Sequence, residues 1–138
     1  MLRFLWAYLV YTWGGLHRLF GNQNSMRSEH EAAVRCFTKA FEIDPSFHRV
    51  RLERGILLSR ELGRHDEALA DFNFLLAEKS DYSNLALLNR AILHQHQAQF
   101  SEALADLDLF LEMPEDSFYD EALRMREILQ AILSEDHH

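Results

Sequence analysis

The chain has 138 residues, 48% of them apolar and only seven of them Gly or Pro. That is one domain's length, with enough apolar material for a core and too little Gly and Pro for disorder. Its 22 acidic residues outnumber 14 basic ones, the wrong balance for nucleic acid phosphates, and a single cysteine, Cys36, rules out an internal disulfide or a CxxC metal site.

The first predicted element, residues 1–14, is a helix that is apolar on all sides. No charge falls between Phe4 and Leu16, and the stretch holds both Trp and two of the four Tyr. Those 13 residues rise about 20 Å, short of a bilayer core of about 30 Å. No small-x-small cleavage site follows. Trp and Tyr favour membrane interfaces, and Arg3, His17 and Arg18 suit anionic headgroups. The anchor candidates are Phe4, Leu5, Trp6, Tyr8, Leu9 and Trp13. Three placements stay open: on or dipping into a membrane, packed on the rest of the chain or across a dimer, or a signal or spanning segment.

Further along, the phrase "ALADFNFLLA" (68–77) returns as "ALADLDLFLE" (103–112), 35 residues later, and more loosely as "AVRCFTKAFE" (33–42). Ala33, Phe37 and Ala40, then Ala68, Phe72 and Leu75, then Ala103, Leu107 and Phe110 each make one apolar helical stripe. Between them lie "VRLERGILLSRELG" (50–63) and "LALLNRAILHQHQA" (85–98), aligned as Arg54-Gly55-Ile56-Leu57 over Arg90-Ala91-Ile92-Leu93. Gly inside a helix costs about 1 kcal/mol against Ala, so a close helix crossing is predicted at Gly55, Ala91 and Gly21. The middle unit has one extra residue, near "RELGRH". Ser28 with Glu31, Ser46, and Ser117 with Asp120 are predicted caps. Pro45 and Pro114 are helix stops, and a last helix through about Leu133 buries Leu123, Ile128 and Ile132.

A period near 34, two helices per unit, a small residue on the first helix, Ala-x3-Phe on the second and a terminal Pro resemble the tetratricopeptide repeat. The matching residues are Gly21, Ala33, Phe37, Ala40 and Pro45; Gly55, Leu58, Ala68, Phe72 and Leu75, with Ser80 at the usual Pro; and Ala91, Phe100, Ala103, Leu107, Phe110 and Pro114. The large aromatic usual early in the first helix is replaced by His17, Arg51 and Leu87. The resemblance covers about residues 15–116, as units 15–46, 47–82 and 83–116. It implies an all-α, right-handed solenoid, with the apolar helix 1–14 before it and a capping helix, 117–134, after it.

In such repeats the first helices line a concave groove that binds a peptide or a partner helix. The resemblance places Arg49, Leu52, Ile56, Ser59 and Arg60 there, with Leu85, Leu88, Ile92, Gln95 and His96. Arg49, Arg51, Arg54, Arg60 and Arg64 make a basic island, with Glu53 and Glu61 among them, suited to a carboxylate or simply solvated. The carboxylate clamp of some members is not expected, because only Arg18 and Asn22 match it, while Glu53, Leu85 and Asn89 do not. No phosphate loop, nucleophile elbow or HExxH is present. His94 and His96 are two apart and do not share a helix face. His30 and His65 read as turn residues and His137-His138 as a loose end. The expectation is a non-enzymatic adaptor without cofactor, metal or nucleic acid, cytoplasmic or peripheral at a membrane. Its partners would be a protein or peptide ligand and a membrane surface or membrane protein. The alternative is a self-associating structural subunit whose first helix packs into a neighbouring copy.

Overall fold

The computed structural model describes residues 1–114 and 116–136; the loose end expected at His137-His138 lies outside the described residues. Among the described residues the chain is all helical: α1 (Leu2–Asn24), α2 (Arg27–Ile43), α3 (His48–Arg60), α4 (His65–Ala77), α5 (Ser83–His96), α6 (Phe100–Phe110) and α7 (Tyr119–Glu135). It forms two compact units, Met1–Tyr82 and Ser83–His138.

In the first unit each helix packs on the next, α1 on α2, α2 on α3 and α3 on α4. Residues 1–14 are not a separate helix. α1 runs unbroken through Gly14 and Gly15 to Asn24, so the expected boundary at residue 15 falls inside it. The reason is a row of small residues. Ala7, Gly14 and Gly21 recur every seven residues, two helical turns, and all three are buried. A Cβ built on Gly14 would lie 2.8 Å from both Cys36 Cβ and Phe37 Cε1, and one on Gly21 would lie 2.6 Å from His30 Cδ2. Gly55 meets Phe72 in the same way, its Cβ falling 2.7 Å from Cε1. The close crossings predicted from small residues are therefore present at Gly21 and Gly55, and Gly14 adds one the repeat pattern did not mark.

The predicted stripes are the core. Ala33, Phe37 and Ala40 are buried in the first unit, as are Ala68, Phe72 and Leu75; Ala103, Leu107 and Phe110 are buried in the second. There α5 packs on α6 and α6 on α7. The extra residue of the middle repeat sits in the α3–α4 connection, where Gly63 takes φ +64. That left-handed conformation is easy for Gly and strained for residues with a Cβ. Ala98, at the equivalent place before α6, adopts φ 59 regardless.

The caps differ from expectation. α2 starts at Arg27 with Met26 as its N-cap, so Ser28 lies inside the helix. Ser25, in the left-handed region, closes α1 by donating its N–H to the Gly21 carbonyl, and so tight a reversal leaves Ser28 no place outside α2. Ser46 does not cap α3. Its N–H and hydroxyl donate to Asp44 Oδ1 at 3.1 and 2.6 Å, which holds the Asp44 carboxyl below its ordinary range. Before α7, the Asp116 carboxylate rather than Ser117 takes the loop's N–H, from Phe118 at 2.9 Å. α7 is also turned from its predicted face. Ala122 and Leu129 are buried, Leu123 and Ile132 half-buried and Ile128 exposed; Arg126, on the same side as Ala122 and Leu129, reaches Asp108 at 3.7 Å.

Candidate functional site

Two of the four α3 arginines, Arg51 and Arg54, are occupied inside the fold. Asp71 lies within the α4 stripe at the i+3 place between Ala68 and Phe72, and its side chain is fully buried. Arg54 binds it through two bonds, Nε to Oδ2 at 2.8 Å and Nη2 to Oδ1 at 2.5 Å. Arg51 adds a third at 3.3 Å. Arg54 also donates to Thr38 Oγ1 at 3.0 Å, tying α2 to the pair. The Arg51 guanidinium lies 4.0 Å from the centre of the Phe41 ring and 4.1 Å from that of Phe74. A planar guanidinium is suited to both contacts, a forked carboxylate and aromatic faces. Arg64 pairs with Glu31 at 2.7 Å and with Glu67. The Glu67 bond holds the guanidinium proton more tightly and lowers the Glu67 carboxyl.

The second unit repeats the device. Arg90 donates Nε to Asp106 Oδ2 at 2.8 Å and Nη2 to Oδ1 at 2.6 Å. That bond raises the Arg90 pKa, against the opposing effect of burial. His94 sits 3.8 Å from the same carboxylate and binds Gln99 Oε1 through Nδ1 at 2.7 Å. Sequence reasoning had aligned both arginines and both aspartates without joining them. The signal was an acid standing inside an apolar stripe.

What remains for a partner is narrower than the predicted groove set. Five of those residues belong to each unit. Leu52 and Leu88 are buried in the fold. On α3, Arg49 and Arg60 are exposed, with Ile56 and Ser59 half-buried; on α5, Leu85, Ile92 and Gln95 are half-buried and His96 is exposed. Arg49 lies 3.8 Å from Glu53 and over the Tyr11 ring at 5.7 Å. Burial, then a hydrogen bond to Glu53, push the Tyr11 phenol up to about 12. The clamp positions are engaged within the chain: Asn22, exposed, binds His30 at 2.8 Å, and Asn89 is buried and donates to the Leu85 carbonyl.

The anchor candidates of α1 divide between two faces. Phe4 and Tyr8 lean on Phe47, with ring centres 5.5 and 6.4 Å away, and Tyr11 joins them at 5.2 Å. Leu5, Trp6, Leu9 and Trp13 point outward, between 52% and 60% exposed. Against that face, Trp6, Leu9, Val10, Trp13, Cys36 and Lys39 line a depression of about 330 Å³. Burial raises the Cys36 thiol, with Arg35 and Lys39 opposing it. No described helix is long and apolar enough to cross a membrane. Among the described residues, no group of three or more His, Cys, Asp or Glu could hold a metal ion. No protein-family model matches the chain, and no curated protein matches it in sequence.

Proposed function

We propose that the chain is a non-enzymatic adaptor of the tetratricopeptide kind, which takes a peptide or a partner helix on the exposed sides of its first helices. The observation that carries this reading is the repeated helical hairpin. α3/α4 and α5/α6 share the period, the stripe and the same two-bond Arg–Asp pair, Arg54 to Asp71 and Arg90 to Asp106, atom for atom. A unit written more than once, whose buried carboxylate is paired by its own arginine, reads as a scaffold that offers surface rather than a chemical centre.

On the first unit that surface runs from Phe4 and Tyr8 of α1 to Arg49, Ile56 and Arg60 of α3. It combines aromatic area with guanidinium groups, the residue types most enriched where binding energy concentrates. The fitting partner is a short segment with an apolar centre and a carboxylate. The test places a photo-crosslinking amino acid at Ile56 and, as a control, at the exposed Ala105 of α6 in the full chain. A partner captured at Ile56, absent at Ala105 and lost in Arg49→Glu/Arg60→Glu at unchanged helicity, supports the reading. Equal capture at both positions, or indifference to the double change, overturns it.

A further inference from the structure

α1 turns its small-residue row to α2 and its Phe4, Tyr8 and Tyr11 rings to Phe47, and leaves a further apolar face outside the fold. The inner face is the small-residue row against α2. The outer face carries Leu5, Trp6, Leu9, Trp13, Leu16 and Phe20, each between 43% and 60% exposed. Their spacing of three, four and seven residues keeps them on one side over about 22 Å of helix. Water-facing side chains of that size on one stripe are rare on a free surface and mark an interaction site.

The surroundings say what kind. α1 contains no acidic residue. Along one flank, α2 contributes Arg35 and Lys39, which line the depressions shared with Trp6, Leu9, Trp13 and His17. Neither cation makes an ion pair among the described residues; Glu29 lies 2.6 Å from His17 and Glu31 pairs with Arg27 and Arg64, while Glu42 shares with both cations a separate depression that residues of α3 and α4 also line. The stripe is thus a long apolar ridge with two indoles, bordered by Arg35 and Lys39, on a chain whose residues 28–138 hold 11 basic side chains, these two included, against 22 acidic ones. A twofold contact between copies would bring each Arg35 and Lys39 to a seam with no acid on α1 to meet it. Anionic headgroups meet them directly, and indoles prefer the headgroup boundary.

We propose that the outer face of α1 docks on an anionic membrane surface, lying in the interface plane with Trp6 and Trp13 at headgroup depth. This goes beyond the adaptor reading and does not depend on it, since the two surfaces lie on different sides of α1. α1 stays helical throughout, because its inner face remains on α2.

The two Trp residues of the stripe are the only ones in the chain, so fluorescence excited at the red edge of the indole band, beyond tyrosine absorption, reports the site alone. The full chain is titrated with vesicles of phosphatidylcholine, with and without phosphatidylserine, and with lipids brominated high on the acyl chain. The expected result is a blue shift and bromine quenching on the anionic vesicles. Leu9→Asn/Leu16→Asn, at exposed positions that leave the fold intact, abolishes both. Arg35→Glu/Lys39→Glu weakens partition by roughly tenfold or more. Emission unmoved by anionic vesicles overturns the proposal. So does equal binding to phosphatidylcholine alone. A blue shift that grows with protein concentration in the absence of lipid, together with a dimer in sedimentation, would assign the face to a second copy instead.

Discussion

The hairpins α1/α2 and α3/α4 occupy successive positions in one repeat pattern, yet they place polarity in opposite ways. In α3/α4 the charge is inside: Asp71 is sealed in the apolar stripe with Arg54 and Arg51 around it. In α1/α2 the equivalent position on the second helix is Cys36, and its counterpart on the first is the exposed Phe20. The helices there meet through Ala7, Gly14 and Gly21, and their polar pairs, His17 with Glu29 and His30 with Asn22, sit towards the ends. The outside is reversed to match. The α1 surface away from α2 is apolar, while exposed positions on α3 include Arg49 and Arg60. One backbone pattern therefore tolerates two interiors, and the environment each hairpin faces shows in what it leaves uncovered.

The largest expected effect tests the interior difference. Asp71→Ala strands two guanidinium groups that are only 16% and 23% exposed, and breaking such a pair from one side costs about 3–5 kcal/mol. Thermal melts followed by circular dichroism should show a drop of roughly 10 °C or more. Cys36→Ala, at the equivalent place, should cost about 1 kcal/mol or less. Replacing all three members, Arg51→Met and Arg54→Met with Asp71→Leu, should recover most of the loss, since apolar replacements of buried ion pairs and triads are often neutral. Similar losses at residues 36 and 71 would erase the contrast.

This difference also marks what the sequence made legible. The stripes and the close crossing at Gly55 followed from spacing alone, because helical period and side-chain size are local properties. The Arg–Asp pairs did not, although Asp71 and Asp106 are identical positions of the repeated phrase. A polar residue on an apolar face can be a packing defect, a solvated rim or a buried pair, and only its partner's position decides. The same holds for the basic island. Arg49, Arg51, Arg54, Arg60 and Arg64 are close in sequence, but helical rotation sends Arg51 and Arg54 to Asp71, Arg64 to Glu31 and Glu67, and Arg49 towards solvent. The continuity of α1 was hidden for a related reason. The charge-free aromatic run and the start of the repeat resemblance at residue 15 read as a boundary, while the seven-residue row of small residues that carries the helix through crosses it.

The adjacent Gly14 and Gly15 of α1 give the next effect in size. A methyl on Gly14 would sit 2.8 Å from Cys36 Cβ and the Phe37 ring, whereas at Gly15 nothing lies within 4 Å. Gly14→Ala should therefore destabilise by about 1–3 kcal/mol through overpacking. Gly15→Ala should stabilise by about 0.5–1 kcal/mol, because Gly is the poorer residue inside a helix. Opposite signs at neighbouring positions in urea melts would show that α1 is held by the fit of one face to α2. Equal signs would mean that α1 can shift to accept the methyl.

The smallest effect lies at Tyr11, where α1 meets Phe47 and α3. Its phenol is pushed up to about 12, first by burial and then by its bond to Glu53, with Arg49 opposing. The ordinary phenol pKa is about 10. A raised acid favours the neutral form in the folded chain, so its contribution is fully present below pH 10. It is lost as pH rises towards about 12, because the unfolded chain ionises first. Phenolate absorbance of the folded chain should therefore show a late step from Tyr11, and Tyr11→Phe should remove it. Glu53→Gln should lower the late value without restoring the ordinary one, since burial is the larger cause. Stability in mild denaturant should fall more steeply between pH 10 and 12 in the parent chain than in Tyr11→Phe. If all four phenols titrate together, the α1–α3 seam is open to water, and the aromatic cluster beside Arg49 does not form a fixed surface for a partner.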